Sequence, residues 1–400
     1  MSLLSVVEAI VGCAIVVLIL NDVFQSVVVP RRTSRVGRPG SYVVRSLWSV
    51  WLRVAFRLES NEQREALLGT AGATAVIILL VFWLASLIVG YGLLFDALRD
   101  QIHPTPATVF TSMYFAGTSM LTIGFGDLTP IGGAARLVSL VAAATGLGLF
   151  ALVISFLFTL YGAFQRREVA VVVLEAAAGA PPSGVTLLES YALADMLDDL
   201  PRVFETWQAW AADVLDSHLA YPVLAYFRSS HDNDSWVSSL GAVMDAGTLV
   251  LTTIEGGPKG WAKLSHAVGG HCLEDLVQYF GLPDPQDGPQ VERAEFEDAC
   301  DRLEKAGFEL RDRDEAWERF SHVRGRYANR VNSLARFWAT PPAQWIGDRS
   351  PMRNPSWHQA AIGPGASRLP VPPPPAATPT PQPPAAQAAE EPSPVEASSR

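Results

Sequence analysis

The stretch TSMLTIGFGDLTP, residues 118–130, lies between two long apolar runs of the chain. It has glycines at positions 124 and 126 and an aspartate at position 127, a pattern that a plain hairpin loop would not require. Backbone that is neither helix nor sheet is tolerated at membrane depth only where it is buried in protein or lines a watery cavity. The stretch therefore predicts a specialised backbone segment between two membrane helices.

Composition argues against one class of partner. The 400 residues carry a formal net charge of −10 at pH 7, so the chain has no net basic field to collect phosphates, and nucleic acid is not expected as a partner. The three cysteines, Cys13, Cys272 and Cys300, lie far apart and fit no metal or disulfide spacing. We expect the latter two to be reduced and to face the cytosol.

Three apolar runs in the first 165 residues are candidate membrane spans. Residues 66–95 and 137–165 contain no charged residue, and each run exceeds the roughly 20 residues needed to cross about 30 Å of hydrocarbon. The first run, residues 3–29, is weaker because Asp22 would cost about 2.5–3.5 kcal/mol at mid-bilayer. A signal peptide is disfavoured there, since the run lacks a positive amino-terminal region and a small-x-small cleavage site.

Asp22 itself has two readings. Close to the cytoplasmic surface, beside Arg31 and Arg32, its charge would cost much less than at mid-bilayer, and we favour this interfacial position. The alternative is a functional contact between Asp22 and the two-span module of residues 67–164.

Arginine counts predict the orientation. Residues 30–66 contain eight arginines and three acids, whereas residues 96–136 contain two arginines and three aspartates. Because arginine-rich loops stay in the cytoplasm, we expect residues 30–66 and everything after 165 to be cytoplasmic. The amino terminus and residues 122–127 then face outside, in a multi-pass protein of the plasma membrane.

The first loop contains an amphipathic helical pattern. Arg45, Ser49, Arg53 and Arg57 recur every four residues, and the opposite side is apolar or aromatic: Tyr42, Leu47, Trp48, Trp51 and Leu52. The pattern predicts a helix lying on the inner membrane surface. An ordinary cytoplasmic linker helix remains the alternative.

After Gln165 the chain changes character. Residues 186–340 alternate charged and apolar positions at helical period, which predicts about six helices in a soluble, acidic domain. We place a capping box at Thr186–Glu189, and helix breaks at Pro201, Pro222, residues 256–258 and Gly281. Five tryptophans are expected in its core: Trp207, Trp210, Trp236, Trp261 and Trp317. No GxGxxG or P-loop pattern is present, which disfavours a nucleotide-binding domain.

Three other patterns are read as ordinary structure. His266, His271 and Cys272 do not share one helical face, so a metal site is not expected. Residues 231–234 predict a turn ending in a helix cap and not a calcium loop. Eleven of the 31 residues from Pro370 to Arg400 are proline, which predicts a disordered or polyproline-like tail.

The segment before the glycines predicts a short re-entrant helix. Thr105-Pro106 supplies a helix cap and a first-turn proline, and residues 107–119 are too few to span a bilayer. The chain then returns outward through residues 122–127, where Gly124 and Gly126 let successive carbonyl groups point the same way. A ring of such strands would stack carbonyl oxygens into cages that replace the hydration shell of a cation.

Residues Thr122-Ile123-Gly124-Phe125-Gly126-Asp127 resemble the selectivity filter of potassium channels, with its TxG[YF]GD pattern. The resemblance covers an outer helix, pore helix, filter and inner helix over about residues 67–164. It implies a homotetramer, because one chain supplies one filter strand. It also implies potassium coordination by the carbonyls of Thr122, Ile123, Gly124 and Phe125 and by the Thr122 hydroxyl, with Gly126 in the filter, Asp127 at the outer mouth and Gly146 as a gating hinge.

The sequence departs from the family pattern at two filter positions. Phe125 stands where tyrosine is commoner, and Thr118 stands where many bacterial members carry a glutamate that pairs with the filter aspartate. Both changes remove hydrogen-bonding groups behind the filter, so we expect the filter to be held less tightly and to depend more on bound potassium. The extra amino-terminal span lies outside the minimal module, and no arginine-rich voltage sensor precedes the pore.

The sequence thus predicts an all-α membrane protein with three transmembrane helices and a re-entrant pore loop. Its predicted parts are an amino-terminal span (1–29), a linker (30–66), a pore domain (67–165), a helical cytoplasmic domain (166–345) and a proline-rich tail (346–400). We expect a homotetramer in a lipid bilayer that conducts potassium passively, with no enzymatic activity, cofactor or bound metal other than potassium. A cytoplasmic ligand or protein partner remains unknown.

Three alternatives stay open at this point. The filter motif is also compatible with a glycine-rich external hairpin loop. A subunit of a Trk-like potassium transporter is a second alternative, although those chains carry four pore repeats and this chain has one. The third is a vestigial or non-selective pore with a cytoplasmic sensor or scaffold domain.

Overall fold

A computed structural model describes residues 2–29, 38–58, 60–229, 235–283, 291–341 and 343–346. Within these residues the fold is all-α, as predicted. The helices are α1 (Leu3–Val23), α2 (Pro39–Ala55), α3 (Asn61–Ala97), α4 (Val109–Met120), α5 (Gly133–Ala178), α6 (Gly184–Leu193), α7 (Leu200–Ala220), α8 (Trp236–Thr252), α9 (Lys259–Phe280), α10 (Arg293–Lys305), α11 (Arg313–Gly325) and α12 (Ala328–Phe337).

Short elements complete the described chain. A π-helical turn, Phe24–Val28, extends α1, and 3₁₀ turns cover Arg99–Gln101, Leu197–Asp199 and Pro222–Tyr226. The strands β1 (Ile102–His103) and β2 (Thr129–Pro130) pair antiparallel and join the end of α3 to the start of α5.

The three predicted spans are confirmed as helices long and apolar enough to cross a membrane: Leu3–Val28, Glu62–Ala97 and Gly133–Ala178. The first two run antiparallel and cross closely, because a Cβ on Gly12 would lie 2.7 Å from the carbonyl oxygen of Gly90. Small residues at such crossings let membrane helices gain packing contacts. Residues 121–127 lie at one end of the bundle, called here the loop end, and the carboxy-terminal helices lie at the domain end.

The interfacial depth favoured for Asp22 stays a prediction, and the structure shows what surrounds its side chain. Asp22 is fully buried, and its Oδ2 accepts hydrogen bonds from the Trp83 indole N–H (2.8 Å) and from the backbone N–H of Gly40 (2.9 Å). A buried carboxylate must have donors around it, and these two come from different helices. Asp22 therefore joins α1, α2 and α3, as its alternative reading as a contact with the pore region had allowed.

Helix α5 is long. Its 46 residues extend for about 69 Å at 1.5 Å per residue, roughly twice the hydrocarbon thickness. The predicted end of the pore domain at residue 165 lies inside this helix. Helix α5 therefore runs without a break from the loop end into the carboxy-terminal domain.

The carboxy-terminal domain contains seven of the described α-helices, α6 to α12, where about six were predicted. Its first helix, α6, starts before Thr186, so the predicted capping box at Thr186–Glu189 is wrong. The Ser183 side chain caps α6 by accepting from Thr186 N–H, while Thr186 and Glu189 both accept hydrogen bonds from Arg302. A capping box does occur at Glu292–Glu295, at the start of α10.

Other predictions for this domain are largely confirmed. Residues 256–258 separate α8 from α9, and Gly281 ends α9 in the left-handed conformation. Of the five tryptophans expected in the core, three are buried (Trp207, Trp210 and Trp236), Trp317 is partly buried, and Trp261 is exposed, so the prediction for Trp261 is wrong. The turn at 231–234 and the tail after residue 346 lie outside the described residues.

Helix α2 packs between α3 and the carboxy-terminal domain. Its Trp48 is buried, and the indole N–H donates to the carbonyl of Phe337 (3.2 Å). The Arg45 guanidinium donates to the carbonyl of Phe280 (3.3 Å). Tyr42, which was assigned to the apolar side of this helix, is 62% exposed, so that assignment is wrong.

The domain holds α5 through one buried arginine. Arg167 donates to the carbonyls of Leu224 (3.2 Å) and Phe227 (2.7 Å) and to the carboxylate of Glu168 (2.8 Å). A buried guanidinium needs partners of this kind on all sides. The segment 221–229, called here the junction segment, is thereby fixed to α5.

His218 completes the surroundings of Arg167. It is buried, and burial together with the positive charge of Arg167 lowers the pKa of His218 to about 3. The neutral ring donates from Nδ1 to the carbonyl of Val214 (2.8 Å) and accepts at Nε2 from Arg167 (3.2 Å). Protonation would remove that acceptor and place a second cation beside Arg167.

The His218 arrangement predicts a pH-dependent stability. Because the folded pKa lies below the unfolded value of about 6.5, protons bind the unfolded chain preferentially, and stability falls as pH drops from about 6.5 towards 3. We expect His218→Gln to remove about 1 kcal/mol of the loss between pH 7.5 and 5.5, as measured by chemical denaturation in detergent. The control His271→Gln, on an exposed ring, should leave the pH dependence unchanged. Equal slopes for wild type and His218→Gln would contradict this account.

Candidate ion pathway

The short helix before the filter motif is α4, and its cap differs from the predicted one. Thr108, in extended conformation, caps α4 by accepting from the backbone N–H of Thr111 (3.3 Å). The predicted cap at Thr105-Pro106 is wrong, because the chain still bends there before it enters the helix. With 12 residues, α4 is too short to span a bilayer, as expected.

Buried polar and aromatic contacts hold α4 against α3. The Ser112 hydroxyl donates to the Asp96 carboxylate (2.9 Å), and both side chains are buried. The rings of Phe95 and Phe115 pack with centroids 4.7 Å apart. Helix α4 is therefore fixed to the loop end of α3, and its carboxyl end leads directly into the motif.

The backbone of the motif alternates in conformation. Thr122, Gly124 and Gly126 have φ values of 55°, 58° and 81°, whereas Ile123 and Phe125 lie outside the positive-φ region. Such alternation lets successive peptide groups turn their carbonyls to one side of the chain. Alternation of this kind is compatible with a stack of carbonyl oxygens.

Thr122 holds an unfavourable conformation. A β-branched residue with positive φ is a genuine outlier, and such strain costs on the order of 1–3 kcal/mol. Two hydrogen bonds fix the turn: Thr122 N–H donates to the Ser119 carbonyl (3.2 Å), and Ile123 N–H donates to the Thr118 carbonyl (2.9 Å). The end of α4 therefore imposes the conformation in which the motif begins.

The electrostatics at the carboxyl end of α4 favour a cation. The carboxyl end of a helix carries about half a negative charge from its free carbonyl groups, and α4 ends at Met120, immediately before the motif. Asp127 adds a carboxylate at the far end of the motif. Residues 122–127 are all exposed on the single chain, so their carbonyls are accessible to other copies and to ions.

Sequence reasoning missed one residue of this site. The Tyr114 hydroxyl interacts with the Asp127 carboxylate, and the Tyr114 ring lies parallel to the ring of Phe125, with centroids 6.5 Å apart. Thr118 does not take part, since its hydroxyl donates to the Phe115 carbonyl of its own helix (3.1 Å). Tyr114 lies four residues before Thr118, one helical turn away, and that spacing was the available signal.

Gly146 lies directly behind the motif. A Cβ at this position would be 1.9 Å from the Met120 carbonyl oxygen, so only glycine lets α5 approach the end of α4 this closely. The predicted role of Gly146 as a gating hinge stays a prediction. The structure adds a packing reason for the glycine at this position.

Polar groups elsewhere do not form a competing metal site. His266 lies in a hydrogen-bonded cluster, with Nε2 at 2.8 Å from the Thr248 hydroxyl and 3.1 Å from the Met244 carbonyl, and burial lowers its pKa to about 4. Burial raises the pKa of the Cys272 thiol to about 12, which disfavours the thiolate that a metal needs. In the described part of the chain, no group of three His, Cys, Asp or Glu side chains is arranged to hold a metal ion.

Comparison with known proteins agrees with this geometry. Residues 78–162 match a family model described as "Ion channel", which covers the end of α3, the pore helix, the motif and the first part of α5. The chain is also 24% identical over 206 residues to "Uncharacterized membrane protein YdjJ" of Bacillus subtilis (strain 168), a match that covers 50% of this chain and 59% of that protein. The chain thus spans less than two-thirds of that relative. No solved structure matches the chain.

The contact at Gly146 predicts different effects for two neighbouring glycines. Gly146→Ala forces α5 away from Met120 and should destabilise the detergent-solubilised protein by about 1–3 kcal/mol, as other overpacking changes do. Gly148→Ala is the matched control, because nothing in the chain lies within 4 Å of a Cβ there. Thermal denaturation of both variants gives the comparison. If Gly146 acted only as a hinge, both variants would keep the stability of the wild type. That result would contradict the packing explanation.

The Tyr114 interaction predicts coupling across the motif. Tyr114→Phe keeps the ring beside Phe125 but removes the hydroxyl, so the motif should need more potassium to reach its stable shape. We expect the effects of Tyr114→Phe and Asp127→Asn to be non-additive when thermal stability is measured across potassium concentrations. Tyr161→Phe, an exposed tyrosine on α5, serves as the control. Additive effects of the two changes would show that Tyr114 and Asp127 do not act together.

Proposed function

We propose that this chain is one subunit of a tetrameric, potassium-selective channel that conducts passively. One observation carries the proposal: a segment with alternating backbone conformation, TIGFGD, follows the carboxyl end of the short helix α4, and that helix end packs against α5 at Gly146. The match of residues 78–162 to the ion channel family supports conduction in general. The motif supports potassium in particular.

The proposed coordination uses backbone oxygens. The carbonyls of Thr122, Ile123, Gly124 and Phe125, together with the Thr122 hydroxyl, would replace the hydration shell of potassium, and Gly126 would close the strand. Rings of carbonyl oxygens act this way in ion filters. Asp127 would sit at the mouth, held by Tyr114 from behind.

A single chain supplies one strand, so the pathway requires several copies. Residues 122–127 are exposed along their whole length, and α5 displays exposed apolar side chains such as Leu140, Leu147 and Phe158. Exposed apolar surface of this kind suits lipid or a neighbouring subunit. Four copies around one axis, with the strands facing inward, form the proposed homotetramer.

The proposed orientation follows from the arginine counts. Residues 122–127 and the amino terminus lie at the loop end, which we place outside, and the carboxy-terminal domain lies at the arginine-rich cytoplasmic side of the plasma membrane. A cysteine at Ser2 should then react with an impermeant external reagent. Protection of that cysteine would reverse the orientation.

Ion flux tests the proposal directly. The full chain in liposomes should carry potassium down its gradient and exclude sodium, and Gly124→Asp should reduce this flux to background because it strains a residue at φ 58° and adds a charge to the filter. Gly260→Asp places the same charge at an open site in the carboxy-terminal domain and should leave the flux intact. Equal sodium and potassium permeability in the wild type would sink the selectivity claim and favour a non-selective pore.

A further inference from the structure

A cavity of about 180 Å³ opens where α1, α2, α3, α5 and the junction segment meet. Its lining includes apolar side chains from three different elements: Leu79, Phe156 and Val223. Hydroxyl groups and the two arginines Arg38 and Arg45 surround them. Among the described residues, the lining contains no acidic side chain.

The cavity lies at the depth of a membrane boundary. Ser26, Leu79 and Phe156 each lie about 20 residues from the loop end of their spans, which is the length that crosses the hydrocarbon layer. Three spans thus give the same depth independently. Tyr221, Tyr226 and Tyr279 line the same cavity, and tyrosines are enriched at this boundary because one end of the ring is apolar and the other is polar.

The charges at the cavity are positive and have spare donors. Arg38 donates to the Ser26 hydroxyl (3.1 Å), and its Nε is buried without a hydrogen-bond partner among the described residues. Arg45 donates only to a carbonyl, that of Phe280. In the described part of the chain, neither arginine forms an ion pair with a carboxylate. Asp22 contacts the Gly40 backbone, and its Oδ2 accepts two hydrogen bonds.

We propose that this cavity binds the headgroup of an anionic phospholipid from the membrane leaflet at the domain end. Basic pockets between transmembrane helices suit such headgroups, with the phosphate near the arginines. A volume of about 180 Å³ accommodates a headgroup and not a whole phospholipid, so the acyl chains leave along the apolar surface of the spans.

The bound headgroup would touch the connection between domain and pore. Tyr221 and Tyr226 of the junction segment line the cavity, and the ring of Tyr221 packs on Phe156 of α5 at 5.8 Å. The same segment accepts hydrogen bonds from Arg167 on α5. A lipid in the cavity therefore stabilises one arrangement of α5 relative to the domain, and this regulatory part rests on the proposed function.

Binding is tested without ion flux, so its outcome is independent of the proposed channel activity. The full chain, delipidated in detergent, is titrated with phosphatidylglycerol, phosphatidylcholine or oleate, and bound lipid is counted by native mass spectrometry. We expect phosphatidylglycerol to bind on the order of tenfold more tightly than phosphatidylcholine. Equal binding of the two phospholipids would overturn the proposal, and oleate binding as tightly as phosphatidylglycerol would overturn the assignment to a phospholipid.

Three double variants locate the site. Arg38→Gln with Arg45→Gln should abolish the preference for phosphatidylglycerol, whereas the control Arg53→Gln with Arg57→Gln removes the same charge from exposed positions nearby and should keep it. Arg38→Lys with Arg45→Lys should retain most of the preference for phosphatidylglycerol. If the two glutamine variants lost the preference for phosphatidylglycerol equally, the effect would come from general charge, and the proposed site would be wrong.

A measurement on the wild type covers the case in which the variants misfold. Phosphatidylglycerol with a photoreactive diazirine near the headgroup should label peptides of the junction segment and of α2. Labelling confined to the lipid-facing surfaces of α1 and α5 would overturn the proposal. In liposomes, potassium flux should then rise with phosphatidylglycerol content in the wild type and in the Arg53/Arg57 control but not in the Arg38/Arg45 variant.

Discussion

The fold depends on how it satisfies a stretch of backbone that belongs to no helix or sheet. Residues 121–127 leave the carboxyl end of α4 without joining a helix or sheet, and each unmade backbone hydrogen bond costs several kcal/mol where water is excluded. The Thr118 carbonyl accepts the N–H groups of Ile123 (2.9 Å) and Gly124 (3.4 Å), which ties the N–H side of the strand to α4. The carbonyls remain for another partner, and in the proposed tetramer that partner is the permeant cation.

The elements around this strand follow from the same requirement. Helix α4 must stay in place, so it is fixed to α3 by the buried pair of Ser112 and Asp96. Helix α5 must approach its end closely, which only glycine permits at position 146. Farther along the bundle, Asp22 and Arg167 are buried charges. Loss of the partners of either would leave an uncompensated buried charge and destabilise the fold. Each joins helices that hydrophobic packing alone would leave free to slide, so these charges specify the arrangement.

The spans were predictable because their signal is strong and local, and the candidate filter stays a prediction. An uncharged run of about 30 residues has few other uses, and the spacing of glycines in TIGFGD is difficult to explain otherwise. The contacts that sequence reasoning missed have a common physical origin. The Thr186–Glu189 pattern looks like a capping box, but both side chains bind Arg302, which lies 116 and 113 residues away along the chain. Asp22 likewise was judged by the cost of its charge, while its donors come from Trp83 and Gly40, which only the tertiary structure brings together.

In the proposed channel, the continuity of α5 limits how the filter and the gate can move. The helix carries Gly146 against Met120 near one end and Arg167 in the domain near the other, 21 residues away. A bend at Gly146 would change the contact with the Met120 carbonyl, which lies two residues before Thr122, so the filter and the gate would move together. A bend farther along, where Gly162 meets nothing closer than the Arg166 side chain at 3.8 Å, would leave the filter undisturbed but pull on the junction segment. The packing around α5 therefore decides whether the domain acts on the filter or on the inner mouth.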